Sequence, residues 1–329
     1  MRNLKLSQEF SIITLNAQDS LNMTTVKKIS LRCIAAAVIL ETYLDGYFKD
    51  TEKDLVIEKN LFDNPNITLY QEAILKPLLN KNNSIKGELS WWLTKASNLS
   101  KRHLKKLEHN MSDSLKGIDL LEEIPNLLGC DLFYKSAGIS IKEYRSNIQE
   151  YTNITENIRA EILEEGLITD ETICMLWLLH ESFSLQDIFS KQELERVMAR
   201  INELCLSNLL AKLLFKIHIY HGVEIAIKGF LNTKKNAIKT PTGAGVNFIF
   251  PVIERSQSIF IDTEEWFPNP QQRLDDVKKR LESNGHLYTI VRSGKVPLIK
   301  IDNIVYEAVP HAIQGRIPIH GVRLRRYSI

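Results

Sequence analysis

The chain has no apolar stretch near the ~20 residues that a helix needs to cross a bilayer. Its greasy run Cys33–Leu40 stops after eight residues. The opening Met1-Arg2-Asn3-Leu4-Lys5 carries no apolar core of about 7–15 residues of the kind that directs export. The expectation is a cytoplasmic protein without a membrane span. Cysteine is scarce: Cys33, Cys130, Cys174 and Cys205 lie far apart in apolar surroundings, with no CxxC pair. That excludes a disulfide framework or zinc finger and predicts buried thiols in a reducing compartment. No Walker loop, GxGxxG, GxSxG or HExxH pattern occurs, so neither enzymatic activity nor a cofactor is expected. A charge excess is missing too. A net charge of +2 removes strong global attraction to nucleic acid, and no such partner is expected.

What is present is the composition of a globular protein, 44% hydrophobic and 25% charged over 329 residues, enough for one large or two ordinary domains. Eight apolar residues that include Ala35, Ala36 and Ala37 favour helix over strand, and a helix apolar all round must be buried all round. The stretch Val26–Phe48 is therefore read as a central helix, stopped at Asp45-Gly46. The expected fold class is mainly α: a multi-helix body around this buried helix, with a β-hairpin, followed by a small α+β module.

Helical spacing marks Leu4–Leu15, Leu69–Leu79, Ile85–Ala96, Lys101–Leu121, Ile148–Leu163 and Leu209–Phe230, where Leu213, Ile217 and Tyr220 are core positions. Asp170 is placed as the cap of a helix over Ile173–Phe183, and Ser190 with Glu193 as a capping box for the next. A short strand is expected around Leu55-Val56-Ile57, and a hairpin over Leu127–Ile141 with its turn at Ser136-Ala137-Gly138. Residues 233–247, rich in Lys, Pro and Gly, read as a linker between a helical body (1–232) and an α+β module (248–329). In that module Ser258–Ile261 is strand-like and Gln271–Glu282 helical. Leu287–Val309 divides into three strands at the turns Ser293-Gly294 and Asp302-Asn303.

Two basic clusters are candidates for an anionic surface: Lys27, Lys28 and Arg32 at the start of the central helix, and Lys101, Arg102, Lys105 and Lys106 at the start of the helix before the hairpin. The same cations also suit solvated helix ends. Phe133 and Tyr134 on the hairpin fit either insertion at a headgroup boundary or packing in the core or an oligomer contact. His218, His221 and Glu224 share a helical face, which suits either metal ligands or hydrogen-bonded histidines at the core edge. Thr242-Gly243-Ala244-Gly245 is a small glycine loop without the flanking pattern of a phosphate cradle. The tail Arg316, His320, Arg323, Arg325, Arg326 and Tyr327 suits contact with phosphates, or an edge strand Val322–Tyr327 protected by charge.

In order and pattern residues 4–232 resemble the Golgi phosphoprotein 3 family. Leu6-Ser7-Gln8-Glu9-Phe10 is similar to the family's opening segment, and Ile34–Phe48 to its greasy helix. Leu69-Tyr70-Gln71-Glu72-Ala73, Trp91-Trp92-Leu93 and Thr172–His180 follow in the family's order, with Leu127–Ile141 at the place of its hairpin. The resemblance implies a peripheral protein that binds phosphatidylinositol 4-phosphate and adapts membrane enzymes to coats. The positions of the family's headgroup pocket fall at Val26, Ala35, Lys105 and Glu108, of which one is basic. The expected function is thus a peripheral membrane adaptor that binds anionic, phosphoinositide-like headgroups. The hairpin would support homo-oligomer formation and the C-terminal module a protein partner. The alternative is a soluble interaction scaffold, assembled through the hairpin, that binds no lipid.

Overall fold

The computed structural model describes residues 4–51, 54–80, 82–130, 141–219, 258–263, 269–313 and 319–327. Its make-up is mixed α+β, helices with several small sheets. Two compact units form, and they do not follow chain order. Residues 1–15, 27–121 and 149–221 make the first, and residues 16–26, 122–148 and 222–329 the second. Two segments from the first half, residues 16–26 and 122–148, thus belong to the same unit as the C-terminal part. Residues 233–247 lie outside the described residues.

In the first unit, α1 (Leu6–Leu15) and α2 (Thr25–Leu44) carry the apolar sequence, and every residue of Cys33–Leu40 is 0% exposed. Directly after that run sits Glu41, also buried. Its carboxylate accepts Ser7 N–H (3.0 Å), the Ser7 hydroxyl, Tyr70 O–H (3.2 Å) and Gln71 Nε2–H (3.0 Å). Burial raises its pKa, and the Ser7 hydrogen bonds pull it back. This one carboxylate ties α1, α2 and α3 (Leu69–Leu79) together. Helix α3 opens with a capping box in which Thr68 Oγ1 accepts Gln71 N–H and Gln71 Oε1 accepts Thr68 N–H.

Strands β1 (Lys49–Thr51), β2 (Asp54–Glu58) and β3 (Ser84–Gly87) form an antiparallel sheet. The helix expected over Ile85–Ala96 starts only at Leu89, as α4 (Leu89–Ser97), because Ser84–Gly87 pairs with β2. A side chain at Gly87 would meet the Trp91 ring at 2.8 Å, so glycine is required there. Helix α5 (Lys101–Lys116) follows. Next come α6 (Ile148–Leu163), α7 (Asp170–Glu181), α8 (Leu185–Ile188), α9 (Lys191–Ser207) and α10 (Leu209–Leu214). The cap of α7 is Thr169, whose hydroxyl accepts Thr172 N–H, rather than Asp170. Ser190 and Glu193 form the expected capping box. Of the helix read over Leu209–Phe230, Leu209–Leu214 is helical and residues 215–219 are not; Leu213 is exposed rather than core, and Tyr220 through Phe230 lie outside the described residues. Cys205 is half-buried, whereas the other three thiols are buried.

In the second unit, β4 (Leu121–Pro125) and β5 (Lys142–Ser146) form a two-stranded sheet. The hairpin expected over Leu127–Ile141 is displaced outward: Leu127–Cys130 is a 3-10 turn, the strands flank the segment, and residues 131–140 are outside the described ones. Residues 17–20 run beside β5, with Ala17 N–H donating to Tyr144 O at 2.7 Å and Tyr144 N–H to Gln18 O at 2.9 Å.

Strands β6 (Ser258–Asp262), β7 (Tyr288–Arg292), β8 (Leu298–Ile301), β9 (Ile304–Ile313) and β10 (Ile319–Arg326) form an antiparallel sheet in the order β6-β10-β9-β8-β7. One face of α11 (Pro270–Ser283), through Leu274, Val277 and Leu281, packs with Ile261, Ile299, Val322 and Leu324, and Leu127 and Cys130 share this core. The segment Val322–Tyr327 is thus largely an interior strand, bonded to β6 and β9, and not an edge. The alternation of Arg323 and Arg325 with buried Val322 and Leu324 is the period of a strand with one buried face.

Candidate anion-binding groove

Helix α5 turns Leu104, Leu107, Met111 and Leu115 inward and leaves Lys101, Arg102, Lys105 and Lys106 exposed, as steps of three and four require. Helix α3 lies alongside, where Asn110 Nδ2 donates to Leu69 O at 2.9 Å. Between the two helices opens a groove of about 460 Å³, lined by Glu72, Lys76, Pro77 and Asn80 from α3 and its C-terminal end and by Arg102, His103 and Lys106 from α5. Three fixed cations and an imidazole thus face one carboxylate. Lys76 is held in place by Glu72 Oε2 at 2.7 Å and by the Phe62 ring, whose centroid is 5.1 Å from its ammonium.

The first turn of α5 adds positive potential. Ser100 stands at the N-cap, yet its hydroxyl bonds His103 Nδ1 at 2.9 Å instead of capping the helix. The amides of Lys101, Arg102 and His103 belong to the set that no helix satisfies internally, and they lie at the positive end of the helix dipole. Cations together with such amides are the chemistry that holds phosphate, sulfate or carboxylate.

The seven cations singled out in the sequence separate into different roles. Arg102 and Lys106 line the groove, while Lys28, Lys101 and Lys105 are exposed but not among its lining residues. Arg32 is half-buried, with Nη1 3.3 Å from Asn98 Oδ1. Lys27 is not a surface cation at all: it is 1% exposed, and its ammonium lies 2.7 Å from Glu108 Oε1. Its headgroup role is corrected to that of an internal ion pair. Of the positions the family resemblance assigns to a headgroup pocket, Val26 and Ala35 are buried, Glu108 is occupied by Lys27, and only Lys105 is exposed. Phe133 and Tyr134 lie outside the described residues. Lys76 and His103 were not foreseen as site residues. Lys76 carries no local signal beyond its spacing from Glu72, and its membership of the groove depends on α3 lying against α5.

The metal candidates also change. His218 follows the end of α10 and is not helical, its Nδ1 is 3.4 Å from Glu181 Oε1, and His221, Glu224 and Thr242–Gly245 lie outside the described residues. A different trio could hold an ion: among the described residues, Glu143, His286 and Asp302 of the second unit place ligand atoms within 4.8 Å of one another. No known family model matches the chain, and no curated protein matches it.

Proposed function

We propose that this chain is a non-enzymatic, peripheral protein of the Golgi phosphoprotein 3 type that docks on anionic membrane through the α3–α5 groove. In this reading α2 is the buried central helix of the family's body, and the protein works at the cytoplasmic face of a membrane. The observation that carries the proposal is the convergence of Lys76, Arg102, His103 and Lys106 on one groove beside the unsatisfied amides of α5. A groove of about 460 Å³ has room for a phosphorylated headgroup. No helix among the described residues is long and apolar enough to cross a membrane, which agrees with binding from outside the bilayer. The Lys27–Glu108 pair sits where the family resemblance implies headgroup cations, so the site here is displaced along α5 toward α3 and selects charge more than one phosphoinositide. The C-terminal part would recruit a protein partner. Exposed Leu287, Ile290 and Val291 at the edge strand β7 favour this, and they also favour the second reading, a scaffold that binds protein and no lipid.

Co-sedimentation with vesicles of neutral lipid, of generic anionic lipid and of phosphatidylinositol 4-phosphate separates the two readings. Binding to both anionic types, weakened by salt, is expected. Each basic side chain near an anionic surface contributes about 1 kcal/mol, so the Arg102→Glu/Lys106→Glu double variant should bind at least ~30-fold more weakly. The Lys101→Glu/Lys105→Glu variant should lose less. Equal loss in both variants would move the site out of the groove, and no binding by the wild type would leave the scaffold.

A further inference from the structure

The second unit holds a polar cluster that anion binding does not use. Glu143 is on β5, His286 follows α11, and Asp302 occupies the left-handed turn position (φ 51°) between β8 and β9. From these three separate segments come ligand atoms within 4.8 Å of one another. Glu143 and His286 are buried, and Asp302 is largely so. Asp302 is well compensated: Oδ1 accepts Arg145 Nη1–H (3.0 Å) and Leu287 N–H (3.1 Å), and Oδ2 lies 2.9 Å from His286 Nδ1. Glu143 accepts a hydrogen bond from the Leu127 amide, but among the described residues no basic side chain forms an ion pair with it.

The imidazole fixes which nitrogen can bind an ion. The His286 side chain is 0% exposed, and its Nε2 has no hydrogen-bond partner among the described residues. With the ring proton on Nδ1, facing Asp302, Nε2 is a buried lone pair that nothing donates to. With the proton on Nε2, a buried N–H lacks an acceptor and the Nδ1 lone pair faces a carboxylate oxygen at 2.9 Å. The imidazolium keeps the orphaned Nε2–H. An ion shared with Asp302 and Glu143 takes Nδ1, the nitrogen that faces Asp302, and removes the conflict of its lone pair with the carboxylate; Nε2, on the opposite edge of the ring, keeps its proton. Beside the trio is a cavity of about 10 Å³, lined in part by Glu143 and Asp302, with room for one water-sized atom.

We infer that Glu143, His286 and Asp302 form a site for one divalent cation of the zinc type. One nitrogen and carboxylate oxygens suit that ion, whereas calcium and magnesium call for all-oxygen shells of six or more ligands. The two carboxylates supply −2, of which Arg145 already offsets one charge at Asp302. The function of the site is structural: it clamps β5, the end of α11 and the β8–β9 turn.

The full-length chain is stripped with chelator, loaded with Zn²⁺ and freed of excess by gel filtration, and bound metal is measured by elemental analysis. About one zinc per chain should be retained, with a higher Tm than the stripped protein, and calcium or magnesium should not be retained. Glu143→Gln and Asp302→Asn should each weaken retention at least ~10-fold. Asn tolerates the left-handed turn position, so the second variant keeps the test valid should the first fail to fold. Changing His218 and His221 to Gln should leave retention as in the wild type. The inference is overturned by a wild type that retains no stoichiometric zinc. It is equally overturned by retention unaffected in a folded Asp302→Asn variant, or by retention lost with the His218 and His221 changes instead.

Discussion

An ammonium group withdrawn from water keeps its charge only where something replaces the lost hydration. Lys27 meets that condition through Glu108 at 2.7 Å, with both side chains less than a tenth exposed. In so dry a place removing one partner costs far more than replacing both, because the survivor keeps its desolvation penalty. Lys27→Met should lower the unfolding free energy by about 3–5 kcal/mol in urea titration, and the further change Glu108→Leu should restore most of it. A double variant as unstable as the single one would show that packing, not charge, is what Lys27 supplies. Glu9 presents the opposite situation. Burial, reinforced by Glu171, Glu150 and Glu161, pushes its carboxyl up to about 7 from the usual 4.5. Below pH 4.5 the group is protonated folded or unfolded and has no effect. Between 4.5 and 7 the folded chain holds a proton that the unfolded chain has released, so stability falls as pH rises. Glu9→Gln should therefore raise Tm by about 2–5 °C at pH 8 and leave it unchanged near pH 4, as read by calorimetry.

At the scale of the element, what could be read in the sequence was whatever is written locally. Helix α3 begins and ends where its apolar spacing predicts, the Ser190–Glu193 box is present, and the turn at Asp302-Asn303 joins β8 to β9. The failures at β3 and β10 share one cause, a partner far away in the chain. Strand β3 is four residues of Ser, Ile, Lys and Gly, too short and polar to show a period, and it exists because β2 offers it a ladder. The charge of β10 suits phosphate contact or an edge, since charge often guards edges, yet β6 lies on its far side, about 60 residues earlier in the sequence. The groove follows the same logic. The basic opening of α5 was plain, and Arg102 and Lys106 were named from it, whereas Lys76 joins them only through the packing of α3 on α5. Glu143, His286 and Asp302 lie on three elements and form no motif within any one of them.

For the whole molecule, the interleaving of the units decides what a truncation does. If the division were linear, a chain ending at Asn247 would keep an intact helical body. Instead the second unit draws residues 16–26 and 122–148 into the same unit as the C-terminal sheet. Leu127 and Cys130 are almost fully buried in the core that Val277, Leu281 and Ile299 complete. Arg145 donates to Gly285 O at 2.7 Å and pairs with Asp302, and Asn303 Nδ2 donates to Asn16 Oδ1 at 3.0 Å and to Ser146 O at 2.8 Å. Truncation removes all of these partners together, strips the apolar cover from Leu127 and Cys130, and leaves Arg145 near Glu122 alone. The elements of the first unit remain, so circular dichroism should still report most of the helix. The amides of residues 16–20 and 122–146 should lose protection in hydrogen exchange, and limited proteolysis should cut there before it cuts α2, α3 or α5. Full protection of Leu127–Cys130 in the truncated chain would mean that these segments fold without the C-terminal sheet. A parallel loss across α2 and α5 would mean that the two units unfold as one.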